Sequence, residues 1–496
     1  MALLHSALHK SLLQLTRKSH GEFLRQRKDL RGVQESILRR LLAQSRLTTW
    51  GREHGVSQIT SYADFQRRLA PSTWEDWRPW VELERASERA LCGELKRYQP
   101  TSGSGAERKW IPYTKSFLAE LDRATAPWMH DLYLRHRALR RGRHYWSLSW
   151  LPTELRGQMS NDDLSYFPQL ERLILGPLMA VPRQVQEAPT AELARQQTLA
   201  ALLECADLSF VSVWSPTFLL ALCRDLLEAR ESFAARASVR VRKILLAQLP
   251  PEEIFAQLWP ALSVISCWQT AEAARWIPRL KELFPRATIE SKGLFATEGV
   301  VTIPIAGKMT LAYRSHFYEF ERDDGKIVPA WELVPGQRVR VLLTTGSGFM
   351  RYQLGDEMQV QELVEGCPTL EFLGRRSTSD LVGEKLSYES ARKVLAELGD
   401  EALFFLASPG DREKPPAYEL VWQGSAPARA TQLAEEALGR HHHYKLAREL
   451  NQLAPVSVRA VSDVADFLRS LCETQGWVEG DRKWEAVVRL NRPMEN

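Results

Sequence analysis

Apolar residues three and four positions apart dominate the first part of the chain, and that spacing is typical of one face of an α-helix. It predicts mostly helix from residue 1 to about 97, for example in "VQESILRRLLAQS" and "YADFQRRL". The Trp-rich stretch "APSTWEDWRPW" interrupts the period and is predicted to be a surface loop. The period returns in "SFLAELDRATAPWMHDLYLRHRALRRG", which predicts one helix or two.

Strand patterns appear in the middle of the chain. "FVSVWSPTFLLALCRDLLEARESFAARA" opens as an apolar strand, starts a helix at Ser215-Pro216 and continues in helical period. "ALSVISCW" predicts a buried strand, and "AEAARWIPRLKELF" predicts a helix after it. From about residue 286 to 375 strands alternate with turns, which is typical of a mixed or barrel-like sheet.

A change of pattern after "RRSTSD", at 375–380, predicts a domain boundary at about residue 376. The helix "SYESARKVLAELG", the strands "ALFFLASP" and "AYELVWQG" and two further helices follow it. At 496 residues the chain is too long for a single core, which supports more than one domain. We predict an α/β (mixed α+β) fold with a large domain at 1–376, containing mixed sheets and a β-barrel-like subdomain. A small α+β domain is predicted at 377–496.

Composition narrows the classes of function. The 66 basic and 61 acidic residues nearly cancel, and the net charge of +5 is far from that of a dedicated nucleic-acid binder. No apolar run approaches the length of a membrane span, and the six cysteines form no CxxC pair, as expected for reduced thiols in a cytoplasm. The basic, amphipathic N-terminus resembles a transit peptide or a first helix, and without a small-residue cleavage pattern we expect the helix. We therefore expect a cytoplasmic protein.

The stretch "LTTGSGFMRYQLGDEMQV", at 342–359, has an unusual order of side chains. It opens like a strand, breaks at 346–348, presents an aromatic and basic cluster, and is predicted to turn at Gly355-Asp356 before a second apolar run. Gly-Asp is a good turn, so Asp356 has a plain structural explanation. The alternative is that the turn holds Asp356 as an acceptor for the two hydroxyls of a ribose.

A Ser/Thr/Gly-rich turn follows an extended segment in "YQPTSGSGAERKWIPYT", 98–114. Backbone N–H groups and hydroxyls at Ser102, Gly103 and Ser104 are suited to phosphate oxygens, and Lys109 adds positive charge. The spacing differs from the GxxxxGK[ST] of common P-loops, and a flexible loop is the alternative.

An aromatic residue, a hydroxyl and a carboxylate stand together before a strand in "GLFATEGVVTIPI", 293–305. Phe295 is placed to face an adenine ring, and Thr297 to bond a phosphate. Glu298 is placed to hold Mg²⁺, which takes one or two protein carboxylates together with phosphate oxygens. An ordinary turn that leads into a strand is the alternative.

Two cations lie at the predicted domain boundary, in "EFLGRRSTSDLVGEKL", 371–386. Arg375 is placed to reach a ribose or a phosphate, and the Ser/Thr-rich piece after it is suited to a hinge. Lys385 is placed to bring a second positive charge towards the nucleotide. A surface loop with solvated charges is the alternative.

The order of these four segments is that of the adenylate-forming ligases, and more narrowly the chain resembles the GH3 acyl acid amido synthetases. "TSGSGAERK" is similar to that family's Ser-Ser-Gly-Thr phosphate motif, and "FATEG" to its Tyr-x-Ser-Ser-Glu motif. "TTGSGFMRYQLGD" is similar to its Leu-Tyr-Arg-Tyr-Arg-x-Gly-Asp motif. The likeness runs from about residue 30 to the C-terminus, and it implies that Asp356 accepts hydrogen bonds from the ribose.

The chain departs from the family pattern at three places. The phosphate loop is about one residue short, Phe295 replaces a tyrosine, and Gln353 stands where arginine is common. Losing the tyrosine hydroxyl removes at most one polar contact and leaves a stacking ring.

The resemblance also implies a catalytic lysine near the C-terminus, on a loop that moves over the α-phosphate during adenylation. Lys483 in "QGWVEGDRKWEAV" matches it, with Lys385 as a second catalytic lysine. A solvated lysine on a charged loop is the alternative for Lys483, because Arg482 beside it is an equally good cation. Three adjacent histidines in "RHHHYKLARELN" point in three directions from a helix, so we predict helix surface there rather than a metal site.

The reaction implied by the resemblance uses ATP and Mg²⁺ in two steps. A carboxylic acid forms an acyl-adenylate, and an amine, typically of an amino acid, then takes the acyl group. The expected partners are these small molecules, with neither nucleic acid nor membrane, and we expect a monomer or weak dimer. Transfer of the acyl group to coenzyme A, or a catalytically silent nucleotide-binding homologue, are the alternatives. The helix at Ser215-Pro216, the helix at 116–135 and "WSLSWLP" are expected to line the acyl pocket.

Overall fold

The computed structural model describes residues 2–86, 91, 93–101, 109–147, 173–375, 378–379, 381–382, 384, 386–410, 415–477 and 484–493. Helices and several β-sheets share these residues, and the predicted mixed α+β class is confirmed. Of the described helices, none is both long enough and apolar enough to cross a membrane.

The α-helices are α1 (Ala2–Gln26), α2 (Leu30–Ser45), α3 (Thr49–Glu53), α4 (Tyr62–Arg68), α5 (Trp74–Ala86), α6 (Lys115–Arg135), α7 (Ala191–Leu203), α8 (Pro216–Glu228), α9 (Arg230–Arg236), α10 (Val239–Leu245), α11 (Pro251–Leu258), α12 (Ile277–Leu283), α13 (Tyr388–Leu398), α14 (Ala430–Gly439), α15 (His442–Glu449) and α16 (Val464–Gln475). Short 3₁₀ turns connect several of them.

The strands are β1 (Leu95–Pro100), β2 (Trp110–Thr114), β3 (Arg143–Trp146), β4 (Leu208–Ser212), β5 (Val264–Cys267), β6 (Thr288–Ser291), β7 (Phe295–Ala296), β8 (Gly299–Val300), β9 (Thr302–Ile305), β10 (Lys308–Leu311), β11 (Phe317–Arg322), β12 (Ile327–Pro329), β13 (Arg338–Thr344), β14 (Tyr352–Val364), β15 (Cys367–Arg375), β16 (Thr378–Ser379), β17 (Leu386–Ser387), β18 (Ala402–Ser408), β19 (Ala417–Gln423), β20 (Ser457–Val461) and β21 (Val487–Arg489).

The chain divides into two compact units, and the main division falls between Phe372 and Leu373. The sequence analysis draws its boundary at 376. The resemblance also implies that the large N-terminal domain binds ATP and the acid, and this assignment stays a prediction.

A four-stranded parallel sheet in the first unit has the order β3-β4-β5-β6. Strands β4 and β5 are buried along their whole length, which explains why their sequences run without the alternation of a half-exposed strand. The predicted helix start is confirmed, because the Ser215 hydroxyl accepts a hydrogen bond from the Thr217 N–H and Pro216 opens α8.

A second sheet of the first unit has seven strands, in the order β12-β11-β13-β14-β15-β10-β9. It occupies most of the span in which the sequence predicts alternating strands and turns. The barrel-like form of this subdomain stays a prediction. Large aromatic side chains of β11 fill its core, among them Phe317, Tyr318 and Phe320.

Two helix predictions for the first unit need comment. The predicted surface loop "APSTWEDWRPW" is wrong, because α5 runs through it and buries Trp74, Trp77 and Val81 on one helical face. Pro79 inside this helix, together with the polar residues around it, conceals the period. The segment predicted as one helix or two forms α6, with Pro127 inside it, and a separate 3₁₀ helix at Arg137–Arg141.

The second unit contains a mixed sheet in the order β20-β19-β18-β21. Its central pair is antiparallel and both outer pairs are parallel. Three helices, α14, α15 and α16, follow β19, where the sequence predicts two. His442 and His443 are exposed on α15, as predicted for a helix surface.

Candidate active site

Strands β7 and β8 form a hairpin that presents the predicted metal ligand. Phe295 pairs with Val300 and Ala296 with Gly299, so Thr297 and Glu298 are its two-residue loop. Glu298 is only 6% exposed although it stands at the tip of a loop. Its carboxylate is therefore surrounded by protein rather than by solvent.

A chain of hydrogen bonds joins this hairpin to two of the other predicted segments. The Lys109 ammonium donates to the Tyr352 hydroxyl over 3.3 Å, and that hydroxyl donates to Glu298 Oε1, also over 3.3 Å. Lys109 lies just before β2, and Tyr352 begins β14, far away in sequence. The fold thus brings together Lys109, the aromatic–basic cluster and Glu298, the predicted metal ligand.

The predicted phosphate loop connects the antiparallel strands β1 and β2. The Thr101 N–H donates to the Lys109 carbonyl over 2.9 Å, which brings the two ends of the loop together. Tyr113 on β2 donates its hydroxyl to the Thr297 carbonyl over 3.1 Å, so this hairpin also contacts the Glu298 loop. Ser102, Gly103 and Ser104 themselves lie outside the described residues.

Asp356 does not lie in a turn between two strands, and that prediction is wrong. Between the pairs Arg340–Glu357 and Leu342–Gln353, β13 advances by two positions and β14 by four, which is a β-bulge inside one continuous strand. Gly355 supplies the left-handed backbone of the bulge, with φ of 80°. Asp356 is fully buried on β14, as suits a carboxylate that a bulge turns towards the interior.

Arg351 has a structural role that the sequence does not indicate. Its guanidinium forms two hydrogen bonds with Glu319, of 2.8 and 3.0 Å, and donates to the Leu69 carbonyl. Burial raises the pKa of Glu319, and the Arg351 charge opposes that shift. The backbone of Arg351 is left-handed, with φ of 52°, and this ion pair holds it in place before Tyr352.

A buried network supports both the Glu298 hairpin and the Gly346 loop. Glu120 on α6 accepts hydrogen bonds from the Gly346 N–H over 2.9 Å and from Arg40 over 3.1 Å. His316 Nδ1 lies 2.8 Å from Glu120, and the Val300 N–H donates to His316 Nε2 over 3.1 Å. His316 therefore carries its proton on Nδ1 and is neutral, since Nε2 must accept.

The charges of this network follow from its burial. Burial lowers the pKa of His316, which keeps the ring neutral as the hydrogen bonds require. Burial acts to raise the pKa of Glu120, but the His316 hydrogen bond, the Arg40 charge and the Gly346 N–H together hold that pKa below its usual value. Glu120 is thus an ionised carboxylate inside the protein, compensated by three donors.

Two glycines allow both loops to approach this network. A Cβ at Gly346 would lie 2.8 Å from Glu120 Oε1, and a Cβ at Gly299 would lie 2.9 Å from His316 Nε2. Both distances are too short for a side chain to be added without displacement of the network. Close packing therefore excludes a side chain at either position.

Aromatic rings surround Phe295 at the other end of its hairpin. Its ring centroid lies 5.8 Å from those of Trp128 and of Trp214, and both pairs are tilted. Phe295 stays half-exposed, so a ring face remains available to a ligand.

The remaining predicted residues lie outside what the structure describes. Lys385 and Lys483 are not among the described residues, and Arg375 is described only by its backbone, as the last residue of β15. Among the described residues there is no cluster of three or more metal-ligating side chains. The single buried carboxylate of Glu298 nevertheless suits Mg²⁺ that is bound mainly by phosphate oxygens.

Sequence reasoning missed Glu120, His316 and Arg40. They are far apart in the chain, and each has an unremarkable local sequence, so no short-range pattern could have shown their contact. Tyr352 lies in the stretch 342–359, whose unusual composition is visible in the sequence. The sequence does not indicate that the Tyr352 hydroxyl bonds Lys109 and Glu298.

Comparison with known proteins identifies the family. The GH3 family N-terminal domain matches residues 19–236, and the GH3 family central domain matches residues 309–375. An indole-3-acetic acid-amido synthetase, GH3.10 of Arabidopsis thaliana, is 23% identical over 42% of this chain and 42% of its own length. The chain therefore spans less than half of that relative. A probable indole-3-acetic acid-amido synthetase, GH3.12 of Oryza sativa subsp. japonica, is 20% identical over 81% of this chain and 80% of its own.

A solved structure extends the likeness to the whole fold. The AtGH3.15 acyl acid amido synthetase in complex with 2,4-DB superimposes with a TM-score of 0.75 over 97% of this chain and 94% of its own, at 17% identity. The two GH3 domains together match more than half of the sequence, and the chain belongs to the GH3 family.

Proposed function

We propose that this protein is an ATP-dependent acyl acid amido synthetase that joins a carboxylic acid to an amine, typically of an amino acid. The observation that supports it best is the hydrogen-bonded chain from Lys109 through Tyr352 to Glu298. It unites three segments, each of which has a plain structural explanation when taken alone. Membership of the GH3 family and the names of its relatives support the same activity.

The proposed reaction has two steps. An oxygen of the carboxylate attacks the α-phosphorus of ATP, the bond to the β-phosphate oxygen breaks, and pyrophosphate leaves. The amine nitrogen then attacks the acyl carbon, the bond to the phosphate oxygen breaks, AMP leaves, and the nitrogen loses a proton. Both steps ask the protein mainly to position reactants and to neutralise charge.

The nucleotide is proposed to bind at the phosphate loop and at Asp356. Ser102, Gly103 and Ser104 would bond phosphate oxygens through their N–H groups and hydroxyls, with Lys109 as the nearby cation. Asp356 would accept hydrogen bonds from the ribose hydroxyls. This fits a carboxylate buried on a bulged strand.

The hairpin of β7 and β8 would contact both ends of the nucleotide. Phe295 would face the adenine and Thr297 a phosphate, while Glu298 would hold Mg²⁺. The metal would supply positive charge to the phosphate oxygens. Glu298 needs no further protein carboxylate for this, because ATP provides most of the ligands.

The cations of the C-terminal part complete the proposal. Arg375 would reach the ribose or a phosphate, and Lys385 and Lys483 would act as the catalytic lysines at the α-phosphate. These lysines would lie at the α-phosphate in the first half-reaction and move away from it in the second. A small domain after a hinge would allow that movement. We also propose a cytoplasmic enzyme, on the ground that the six cysteines form no CxxC pair, and a monomer or weak dimer.

Pyrophosphate exchange tests the proposal. Purified protein is incubated with ATP, Mg²⁺, labelled pyrophosphate and a panel of carboxylic acids, and label should enter ATP only with acids that are adenylated. Acids that succeed are then offered amino acids or coenzyme A, and amide formation is expected. Thioester formation alone would replace the proposal by an acyl-coenzyme A ligase. Nucleotide binding without exchange for any acid would make the protein a catalytically silent homologue.

A further inference from the structure

A buried carboxylate that the proposed reaction does not use precedes Lys385 in the chain. Glu384 is 2% exposed and belongs to residues 380–385, which connect β16 to β17 and are here the β16–β17 loop. Its Oε1 accepts a hydrogen bond from the Leu381 N–H over 2.7 Å, and its Oε2 accepts one from the Val382 N–H over 2.8 Å. Both donors belong to the same loop, so one side chain holds the loop backbone at two places.

Tyr418 on β19 connects this loop to the core of the second unit. Its hydroxyl donates to Glu384 Oε1 over 2.5 Å and lies 2.7 Å from Ser379 Oγ on β16. Burial raises the pKa of Tyr418 and the hydrogen bond to Glu384 raises it further, so the hydroxyl stays protonated and donates. Ser379 comes just before the loop and Glu384 lies near its end, and Tyr418 therefore holds both ends.

The residue that follows Lys385 is also held in place. Leu386 is 1% exposed, belongs to the hydrophobic core of the second unit and pairs with Ser379 across β16 and β17. Lys385 thus stands in the chain between two residues that burial and bonding fix. A lysine on a surface loop with solvated charges needs no such support. Burying a carboxylate is unfavourable unless hydrogen bonds compensate it, so this arrangement points to a role for the loop beyond packing.

We propose that Glu384 and Tyr418 are positioning residues for Lys385, and that they act by fixing the backbone of the β16–β17 loop. The proposal rests on the proposed function, in which Lys385 is a catalytic lysine at the α-phosphate. A lysine carries a point charge on a flexible stem, so the place of its ammonium depends on where the backbone begins that stem. A displacement of about 1 Å in a reacting arrangement lowers the rate by roughly 100-fold.

A second pair of tyrosine and glutamate in the same unit provides a matched control. Glu435 on α14 accepts hydrogen bonds from the Tyr444 hydroxyl over 3.0 Å, from the Val456 N–H over 2.8 Å and from Arg448 over 2.6 Å. Tyr444 is fully buried, as Tyr418 is, and the two ring centroids lie 6.1 Å apart. Removal of either tyrosine hydroxyl therefore takes a similar bond from the same core.

Steady-state kinetics of pyrophosphate exchange, with an acid that the wild type adenylates, give the first test. In Glu384→Gln an amide nitrogen replaces one accepting oxygen and faces an N–H donor, so kcat should fall roughly 10- to 100-fold. Tyr418→Phe keeps the ring and the carboxylate charge, and it should lower kcat in the same direction but less. KM for ATP should change little, because the lost interaction acts in the transition state. Tyr444→Phe and Glu435→Gln should keep the wild-type kcat.

A double-mutant cycle with Lys385→Ala separates positioning from a general loss of stability. If Glu384 acts through the lysine, Glu384→Gln should no longer lower kcat once the lysine is absent, and the two effects are then non-additive. Amide hydrogen exchange of the peptide that contains Leu381 and Val382 should become faster in Glu384→Gln and in Tyr418→Phe. It should not change in the two control variants.

Acetylation of the Lys385 amine tests the positioning without turnover. The wild type and Glu384→Gln are treated with an N-hydroxysuccinimide ester of acetic acid, with and without ATP, and modification of Lys385 is measured by mass spectrometry. ATP should protect the amine in the wild type and protect it less in the variant. Such protection, with no exchange for any acid, would contradict the proposed function and support the positioning role.

Other results would overturn the positioning role. Additive losses in Glu384→Gln and Lys385→Ala would show that Glu384 does not act through the lysine. Equal losses of kcat in Tyr418→Phe and Tyr444→Phe would assign both hydroxyls to general stability. Wild-type kcat in Lys385→Ala would remove the lysine from the reaction and the positioning role with it, whereas the proposed function would stand because exchange continues.

Discussion

Replacing Glu120 by glutamine is expected to loosen the two loops that its carboxylate connects. In the wild type the carboxylate accepts hydrogen bonds from Arg40, the His316 ring and the Gly346 N–H. Glutamine has nearly the same shape but no charge, and its amide nitrogen cannot accept. The fold should survive, because no volume is removed from the core.

The size of the effect follows from these contacts. Hydrogen bonds to a charged group contribute about 1.5–3 kcal/mol and neutral ones about 0.5–1.5 kcal/mol, so the bonds from His316 and Gly346 together lose about 2 kcal/mol. The Arg40 pair adds about 1 kcal/mol, because the Arg40 side chain is 33% exposed and water screens its charge. The free energy of local opening should therefore fall by about 3 kcal/mol.

Amide hydrogen exchange measures this opening directly. A loss of about 3 kcal/mol accelerates exchange roughly 150-fold, so peptides that contain Gly346 and Val300 should exchange much faster in the variant. Peptides of α13, in the second unit, should not change. Glu35→Gln is the matched control, because Glu35 forms solvent-exposed pairs with Arg31 and Arg39 on α2 and should change exchange little.

A second variant identifies the route by which the effect travels. His316→Phe keeps a ring stacked on Phe117, at 5.5 Å, but removes the acceptor of the Val300 N–H. Exchange at Val300 should then rise more than exchange at Gly346. Unchanged exchange at both amides in Glu120→Gln would refute the reasoning, since the loops would then be held by their own backbone.

Further predictions concern the proposed site and the stability of the first unit. Asp356→Ala should weaken ATP binding by about 1.5–3 kcal/mol, measured by calorimetry, and an unchanged affinity would leave Asp356 without a ribose contact. Glu298→Gln should keep the fold and raise the Mg²⁺ concentration needed for half-maximal exchange; full activity at unchanged Mg²⁺ would assign the metal elsewhere. Lys483→Ala should slow adenylation by orders of magnitude but spare amide formation from a synthetic acyl-adenylate, and equal loss in both steps would contradict a role confined to the first. Burial lowers the pKa of His144 to about 3 from 6.5, so its contribution to stability should be complete well above pH 6.5 and fall as the pH drops, by about 3 kcal/mol at pH 4.5; urea midpoints that do not vary over this range would contradict a buried neutral His144.

The elements that the sequence predicts correctly are those with a strong local signal. The strand and helix start at Ser215-Pro216 carry an apolar run, a capping hydroxyl and a proline at the first helical position. The helix α5 is the counterexample, because Pro79 and the charged residues beside it suggest a loop. Burial of Trp74 and Trp77 against the core decides in favour of helix there, and a local pattern does not contain that information.

The bulge at Gly355-Asp356 shows the same limit at the site itself. A glycine with a left-handed backbone followed by aspartate is as good for a turn as for a bulge. β14 stays one strand because it pairs with β13 on both sides of the bulge. The local sequence around Gly355 does not specify that pairing, because the partner residues lie on another strand. The sequence indicates Asp356 as a candidate ribose acceptor, which stays a prediction, but it could not indicate the bulge that surrounds this carboxylate.

Candidate ligand-binding residues are adjacent in the sequence, whereas the residues that support them are far apart in it. Phe295, Thr297 and Glu298 are adjacent because one hairpin presents them all, so a short motif preserves them. Glu120 and His316 act through a contact between distant positions, and a related chain can build an equivalent support from other residues. A sequence 17% identical to the solved synthetase can therefore share its fold with a TM-score of 0.75. A comparison of motifs would overlook Glu120 and His316, which support the candidate site. Variants of this buried network test their role directly.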